Sequence, residues 1–179
     1  MKEDIILDRD APILRAHAQA VSPEEIGSPK MEKILAKMKK ALYQEDDGVA
    51  IAAPQVGESL RIFMIRGSAY ALSRGKKAIE GEAFPDLVFI NPEIVKRSQK
   101  KRKMEEGCLS VRWLYGEVNR HEKVSITALD ENGKPIAKGA SGFLSQIFQH
   151  EIDHLEGVLF TDKAENVHDL PPAKDGAKD

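Results

Sequence analysis

The clearest hydrophobic pattern in the chain lies toward its C-terminal end, over residues 142–156. Apolar side chains recur there at steps of three and four residues, the spacing of one face of an α-helix: Phe143, Leu144, Ile147, Phe148, Ile152 and Leu155. Gly142 stands just before this run, and Gly157 follows it, where a glycine commonly ends a helix. The pattern therefore predicts a helix over residues 142–156 that packs one face on the core.

A second amphipathic helix is predicted to begin at Ser28 and Pro29. A serine accepts a hydrogen bond from the first turn of a helix, and proline is favoured at its first position. The apolar stripe that follows repeats at helical spacing and leaves the lysines on the other side: Met31, Ile34, Leu35, Met38 and Leu42. The helix is predicted to end before Gly48, and residues 5–21 are predicted to be extended.

Shorter apolar runs between the two helices predict strands. Residues 60–66 and 87–90 are mostly apolar, and Asn91-Pro92 closes the second run, with residues 93–95 as a candidate for further pairing beyond it. Residues 117–130 include an alternating apolar segment. Residues 131–134 contain Asn-Gly and predict a hairpin turn, with a returning strand after it over residues 136–141. Residues 158–160 predict a short last strand. The glycine-punctuated residues 67–85 predict a surface excursion.

These elements together predict an α+β fold. We expect a single compact domain of mainly antiparallel strands around the helix at 142–156, with the amphipathic helix near the N-terminus. The domain is predicted to span residues 1–163. Residues 164–179 are rich in alanine, lysine, aspartate and proline and predict a loose tail.

Composition narrows the class of protein. The chain has 179 residues and a formal net charge of −2, so its overall charge does not favour nucleic acid. A single cysteine excludes an intrachain disulfide and fits a reducing compartment. No apolar run approaches the length of a membrane span, and the N-terminus lacks the apolar core of a signal peptide. We expect a cytoplasmic protein without membrane contact.

Residues 96–103 carry six basic side chains in eight positions. Such a run is typical either of a contact with the ribosome or RNA, or of a solvated hairpin. No aromatic residue interrupts the run, and the overall charge is acidic. The solvated hairpin is therefore favoured over specific nucleic-acid binding, and a transient ribosome contact stays the alternative.

A motif with metal-binding spacing lies inside the predicted helix at 142–156. His150 and His154 are four residues apart, so both imidazoles face the same side of a helix, and Glu151 lies beside them. This spacing is typical of a hydrolytic metal site in which the glutamate carries protons. A pair of surface or core histidines without a metal is the alternative interpretation.

A hydrolytic metal site needs three protein ligands and one open position, so a third ligand has to come from elsewhere in the chain. The position at which the metzincin peptidases place their third histidine holds Phe160 here, which cannot bind a metal. A downstream glutamate is a second source, but Glu156 is too close to turn back, and Glu165 lies in the predicted tail. The single cysteine, Cys108, is the third candidate, and an inert buried thiol is its alternative role.

Three segments resemble the peptide deformylase family, in the right order and at plausible spacing. Residues 48–57 resemble the family's glycine- and alanine-rich motif, which ends in a catalytic glutamine. Residues 106–110 resemble its cysteine motif, and residues 149–155 resemble its histidine motif. The resemblance extends from about residue 5 to residue 162.

The resemblance implies a metal-dependent hydrolase that removes the formyl group from formylmethionine at the start of newly made polypeptides. It implies one divalent metal ion, Fe(II) in the family, with Zn, Ni or Co accepted in a purified sample. The residues that it implies at the site are the metal ligands Cys108, His150 and His154, the proton carrier Glu151, and the oxyanion donors Gln55 and Leu109, the last through its backbone N–H.

The N-formylmethionyl peptide needs an apolar slot beside the metal and an edge along which its backbone can lie. The motif positions predict these substrate-binding residues: Val49, Ala50, Gly107, Phe143 and Ile147. The alternative function is a zincin-like metallopeptidase, which would take its third ligand downstream. Residues 112–116 depart from the family pattern, so the resemblance assigns no role to Arg112, Trp113 and Tyr115.

Overall fold

The computed structural model describes residues 5–75 and 84–171, and these residues contain three α-helices and eight strands. The helices are α1 (Pro29–Gln44), α2 (Gly67–Ser73) and α3 (Gly142–Leu155). The strands are β1 (Ala50–Ala52), β2 (Ile62–Ile65), β3 (Leu87–Arg97), β4 (Lys101–Gly107), β5 (Leu114–His121), β6 (Lys123–Leu129), β7 (Pro135–Ser141) and β8 (Glu165–Asp169).

These strands form two antiparallel sheets. The first has five strands in the order β1-β2-β3-β6-β7, and the second has three in the order β4-β5-β8. Neighbouring strands in both sheets run antiparallel. The predicted α+β fold is therefore confirmed.

The first sheet is covered on both faces near β2. Successive side chains of a strand point to opposite faces, and accordingly Phe63 packs with α3 in one core cluster, whereas Met64 packs with α1 in another. Burial on both faces explains why β2 reads as a continuous apolar run. Phe148 of α3 contacts two rings of this sheet, with centroid distances of 6.0 Å to Phe63 and 5.3 Å to Phe89. These contacts hold α3 rigidly against the sheet.

Both predicted helices form close to their expected bounds. The Ser28 side chain accepts a hydrogen bond from the amide of Met31 at 3.2 Å and so caps α1 as predicted. Gly157, with φ +74°, follows α3 in the left-handed conformation. A side chain at Gly157 would also meet the backbone of Arg15 at 2.7 Å, so the position requires glycine.

Two predicted strands have different bounds in the structure. The strand predicted to close at Asn91-Pro92 continues to Arg97, and residues 93 and 94 pair with β6, in line with the pairing predicted for residues 93–95. The ladder with β6 shifts register at this point, where Asn91 adopts φ 50°. The Asn91 side chain bonds both backbone groups of Val21 at 2.8 Å, which secures this irregular position. The alternating apolar segment predicted within residues 117–130 forms β6, with Val124, Ile126 and Ala128 buried as expected. Residues 117–121 of the same stretch belong instead to β5, which lies in the other sheet.

The last third of the chain and the predicted excursion also differ from expectation. The short strand predicted at 158–160 is replaced by a 3-10 turn at Phe160–Asp162. The predicted loose tail is wrong for residues 165–169, which form β8 and pair with β5. The predicted excursion at 67–85 begins with α2, and its residues 76–83, like tail residues 172–179, lie outside the described residues. None of the helices in the described part of the chain has the length and apolar character that a membrane crossing needs.

Candidate metal centre

Helix α3 presents two imidazoles on one face, one turn apart. The rings of His150 and His154 have centroids 4.9 Å apart and meet edge to face. His154 is 1% exposed and Glu151 is 4% exposed, because this face of α3 points into the molecule. The helix thus brings three functional side chains to one buried point.

The thiol of Cys108 approaches the same point from the loop that follows β4. Its Sγ lies 3.3 Å from Nε2 of His154, and the ligand atoms of Cys108, His150 and His154 all lie within 4.8 Å of one another. A sulfur and a nitrogen that share one tetrahedral zinc ion are about 3.5 Å apart. The structure therefore brings together the three residues that the family resemblance implied.

The electrostatics of this cluster suit a cation. Burial lowers the pKa of His150, but hydrogen bonds with Cys108 and Glu106 and the negative charges of Cys108 and Glu151 outweigh it, so the pKa of this imidazole rises well above its usual value. Burial, with the charge of His150, holds the pKa of His154 well below its usual value, so this imidazole stays neutral. The cluster thus attracts positive charge and offers a neutral imidazole, as a divalent metal ion requires.

A buried charge network orients His150. Nδ1 of His150 lies 2.9 Å from Oε2 of Glu106, which leaves the other ring nitrogen, Nε2, for a ligand. Arg120 holds Glu106 with two hydrogen bonds of 2.6 Å and 2.8 Å and reaches Asp153 at 2.6 Å. Burial raises the pKa of Glu106, but the bonds from Arg120 and His150 prevail and lower it to about 2. Lys163 completes the network by bonding both oxygens of Asp153, at 2.7 Å and 2.8 Å.

Sequence reasoning did not assign this network. Its signal was present in β5, where the buried positions Gly116, Val118 and Arg120 recur with the period of two that marks one face of a strand. An arginine in such a series is buried and needs a carboxylate partner. Glu106, two residues before Cys108 in the cysteine motif, is that partner.

Replacing Glu106 with glutamine is expected to weaken metal binding by about 10- to 100-fold, because outer partners of ligating histidines have effects of this size. The neutral amide accepts the hydrogen bond from Nδ1–H of His150 more weakly than a carboxylate does, and it leaves Arg120 with one carboxylate. A competition titration against a chelator measures the affinity. Glu105→Gln on the same strand is the matched control, because Glu105 is exposed and is not part of the network. Equal affinities in the two variants would contradict the role of Glu106.

Gln55 points its amide at the cysteine. The 3-10 turn Ala53–Val56 carries it, and its Oε1 accepts a hydrogen bond of 2.8 Å from the amide of Ala52. That bond fixes the amide orientation, so that Nε2 faces Ser110 Oγ at 3.2 Å and Cys108 Sγ at 3.5 Å. Ser110, which is 1% exposed, was not identified as functional from the sequence, and it holds Gln55 in place.

Glu151 and the backbone of Leu109 border the same space. Burial raises the pKa of Glu151 to about 7, and no described residue donates a hydrogen bond to its Oε2. Among the described residues, none accepts a hydrogen bond from the amide of Leu109. A carboxylate that can hold or release a proton near neutrality therefore lies near a free backbone donor.

A cavity of about 320 Å³ opens beside the cluster. It is lined by the buried Gln55 and Glu151 and by the half-buried Cys108 and His150. Its lining includes every predicted substrate-binding residue: Val49, Ala50, Gly107, Phe143 and Ile147. The glycine at 107 leaves room for the Tyr115 ring, which a side chain there would meet at 2.6 Å.

The downstream glutamates that a zincin-like site would use lie elsewhere. Glu156 bonds Arg61 at 2.7 Å and His17 at 2.9 Å, and Glu165 bonds Lys103 at 2.6 Å on β4. Neither belongs to the cluster of possible ligands formed by Cys108 and the two histidines. Within the described residues the geometry favours the cysteine as third ligand.

Comparison with known proteins agrees with this site. The sequence model of the polypeptide deformylase family matches residues 3–169. The chain is 41% identical over 164 residues to peptide deformylase 1A, chloroplastic, of Solanum lycopersicum, covering 89% of this chain. It is 42% identical over 152 residues to a peptide deformylase of Halothermothrix orenii, covering 85% of this chain and 87% of the relative.

Solved structures show the same fold. A class I type b peptide deformylase from Acinetobacter baumannii superposes with a TM-score of 0.76 at 32% identity, over 89% of this chain and 97% of that one. A peptide deformylase from Synechococcus elongatus, solved in complex with actinonin, superposes with a TM-score of 0.75 at 34% identity, over 90% of this chain and 78% of that one.

The matched region covers most of this chain but a smaller share of some longer relatives. The chain spans 58% of the length of the Solanum lycopersicum relative and 58% of that of peptide deformylase 1A of Arabidopsis thaliana. The family model nevertheless covers this chain from residue 3 to residue 169, including the cavity and the cluster beside it. The chain belongs to the polypeptide deformylase family.

Proposed function

We propose that the chain is a metal-dependent hydrolase that removes the N-terminal formyl group from the formylmethionine of newly made polypeptides and releases formate. The observation that carries the proposal is the meeting of Cys108 with His150 and His154, next to a cavity that Glu151 and several apolar side chains also line. Membership of the polypeptide deformylase family supports the same reaction.

One divalent metal ion is proposed as the cofactor, held by Cys108, His150 and His154. Fe(II) is expected from the family, and Zn, Ni or Co in a purified sample, because a site with one thiolate and two imidazoles suits these metals. When bound, such an ion lowers the pKa of a coordinated water toward neutrality and so supplies the attacking hydroxide.

The chain's own residues then have distinct roles. Glu151 takes the proton of the water and passes it to the leaving amine, since its raised pKa suits both steps near neutrality. Nε2 of Gln55 and the backbone N–H of Leu109 donate to the formyl oxygen as it gains negative charge. Donors fixed before the reaction are effective because no reorganisation is needed at that moment, and the bond from Ala52 fixes Gln55 in this way.

The substrate side of the proposal follows from the shape of the cavity. Val49, Phe143 and Ile147 form apolar walls for the methionine side chain. β1 and β4 are edge strands of their sheets, and Ala50 and Gly107 at their ends both line the cavity. A peptide can therefore add as a strand between them, with backbone bonds that do not read its later side chains.

Three further proposals concern the bounds of the catalytic domain, the compartment in which it acts and a contact with the ribosome. We propose that the catalytic domain includes β8 and so extends beyond residue 163. A cytoplasmic site of action fits a newly made polypeptide substrate and the single reduced cysteine. Residues 96–103 do not form the predicted hairpin, because β3 and β4 pair with other strands and belong to different sheets. The exposed basic side chains at the end of β3 and the start of β4 support a transient ribosome contact. Lys100 and Lys103 of this segment already pair with Glu122 and Glu165.

An anaerobic assay of formate release from formyl-Met-Ala-Ser tests the proposal, with metal analysis of the same sample. We expect formate and free Met-Ala-Ser in equal amounts, with acetyl-Met-Ala-Ser left intact as the control. Mass spectrometry of a longer formylated peptide tests the metallopeptidase alternative. Cleavage at internal bonds without formate release would overturn the proposed function.

A further inference from the structure

Two chain segments meet at the outer rim of the cavity. One is the loop between α1 and β1, with Glu45 and Asp47, and the other follows the cysteine motif and contains Arg112. Nη1 of Arg112 donates to Asp47 Oδ2 at 2.7 Å, and Nη2 donates to Asp47 Oδ1 at 3.1 Å and to Glu45 Oε2 at 2.7 Å. We call this set of three hydrogen bonds the rim clamp.

The rim clamp has the geometry of a strong ion pair. Isolated surface pairs contribute little, whereas a bidentate arginine with more than one carboxylate holds its partners in a fixed geometry. The Arg112 side chain is 23% exposed and that of Glu45 is 28% exposed, whereas that of Asp47 is 56% exposed. Water therefore screens the pair with Asp47 more than the pair with Glu45. The hydrogen bond from Arg112 is the main cause that lowers the pKa of Asp47.

Each end of the clamp adjoins a wall of the substrate cavity. Asp47 precedes the lining residue Val49 by two positions, and Arg112 follows the lining residue Leu109 by three. Asp47, Arg112 and Trp113 themselves line the cavity on its exposed side. The clamp therefore fixes the distance between the two walls where a peptide would leave the cavity.

The clamp also decides what Arg112 does. Its charge is already matched by two carboxylates, and its guanidinium lies 4.6 Å from the centroid of the Trp113 ring. It is therefore not available as a direct anchor for the peptide. Resting on the proposed function, we propose that Arg112 is a positioning residue that sets the width of the cavity rim and thereby the affinity for the residues that follow the formylmethionine.

Kinetics with two substrates test this proposal. Formyl-Met-Ala-Ser crosses the rim, whereas formylmethionine amide ends before it. In Arg112→Gln we expect KM for the tripeptide to rise about tenfold with kcat within about twofold, since binding geometry is lost but the reacting groups are not. KM for the amide should stay unchanged. Arg97→Gln, an exposed arginine of β3 that does not line this cavity, is the matched control.

The single tryptophan supplies a readout that needs no activity. Trp113 is the only tryptophan of the chain and is 37% exposed. We expect its fluorescence to become more accessible to acrylamide in Arg112→Gln, with the same direction of change in Asp47→Asn. Circular dichroism and the melting temperature of each variant monitor the fold.

The outcomes separate this proposal from the proposed function. An unchanged tripeptide KM in Arg112→Gln, or an equal rise in KM for both substrates, would overturn the positioning role. Unchanged quenching in both variants would overturn the clamp itself. If the wild-type protein released no formate from either substrate, the proposed function would fail, and the quenching experiment would still decide whether the clamp holds the rim.

Discussion

Glu151→Gln is expected to retain the metal and to lose formate release by about 10²- to 10⁴-fold, the usual contribution of a positioned acid–base group. The glutamine has nearly the same shape, so the packing of α3 stays intact, but an amide cannot accept the proton of the attacking water. The Glu151 carboxyl is 4% exposed and its pKa is raised to about 7 by burial, as suits a group that both takes and returns a proton. Metal analysis and the formate assay on one sample measure both expectations.

The dependence of the rate on pH supplies a second measurement for Glu151. The base acts only when deprotonated, so the rate falls as the pH drops through its pKa. A bound cation lowers the pKa of a neighbouring carboxyl, so this acidic limb is expected at or below about 7 in the loaded enzyme. The limb should disappear in Glu151→Gln and persist in Glu93→Gln, a control at an exposed position of β3. Full activity of Glu151→Gln would refute the proposed role.

The parts of the fold that could be predicted are those whose residues carry their own burial pattern. Helices α1 and α3 each bury one stripe, and in both the apolar spacing, together with the residues that begin and end a helix, located the element close to the observed bounds. Strand β2 is buried on both faces and was recognised as an apolar run. In these elements local pattern and tertiary packing agree.

The parts that could not be predicted depend on contacts distant in the chain. β3 continues past Pro92 because Asn91 is held by the backbone of Val21, 70 residues away. Every residue of β8 is exposed, so it has no apolar alternation, and only its pairing with β5 makes it a strand. A glycine-led, small-residue segment such as α2 reads locally as a turn, although its Ala69 and Ala71 are buried.

The site likewise contains residues that local spacing predicts and residues that it does not. The spacing of His150 and His154 on a helix predicts a shared face, and the helix provides it. Nothing in local spacing brings Cys108 to them, since it is 46 residues before His154 in the chain. That contact was implied by the resemblance of three motifs to a family. The partners Arg120 and Ser110 were missed because each acts through another residue, Glu106 and Gln55 respectively.

Cys108→Ser is expected to weaken metal binding by more than the roughly 100-fold that loss of an outer partner can cause, and to remove formate release with it. A serine hydroxyl is not ionised at neutral pH, whereas a metal-bound thiol is, so the variant loses both a soft donor and a negative charge. The two imidazoles that remain do not complete the three protein ligands of a hydrolytic site. Chelator competition and metal analysis of the purified variant measure the loss.

Glu165→Gln is the matched control, because a zincin-like site would take a downstream glutamate as its third ligand and would not depend on the cysteine. Glu165 pairs with Lys103 on the exposed sheet of β4, β5 and β8, so its loss should leave metal affinity unchanged.

Since Cys108 is the only thiol of the chain, its reaction with a thiol reagent reports on it directly. We expect the thiol to be protected in the loaded enzyme and to react once a chelator removes the metal. If metal affinity is retained in Cys108→Ser and falls in Glu165→Gln, the third ligand is the glutamate. That result would overturn the proposed metal site and favour a metallopeptidase.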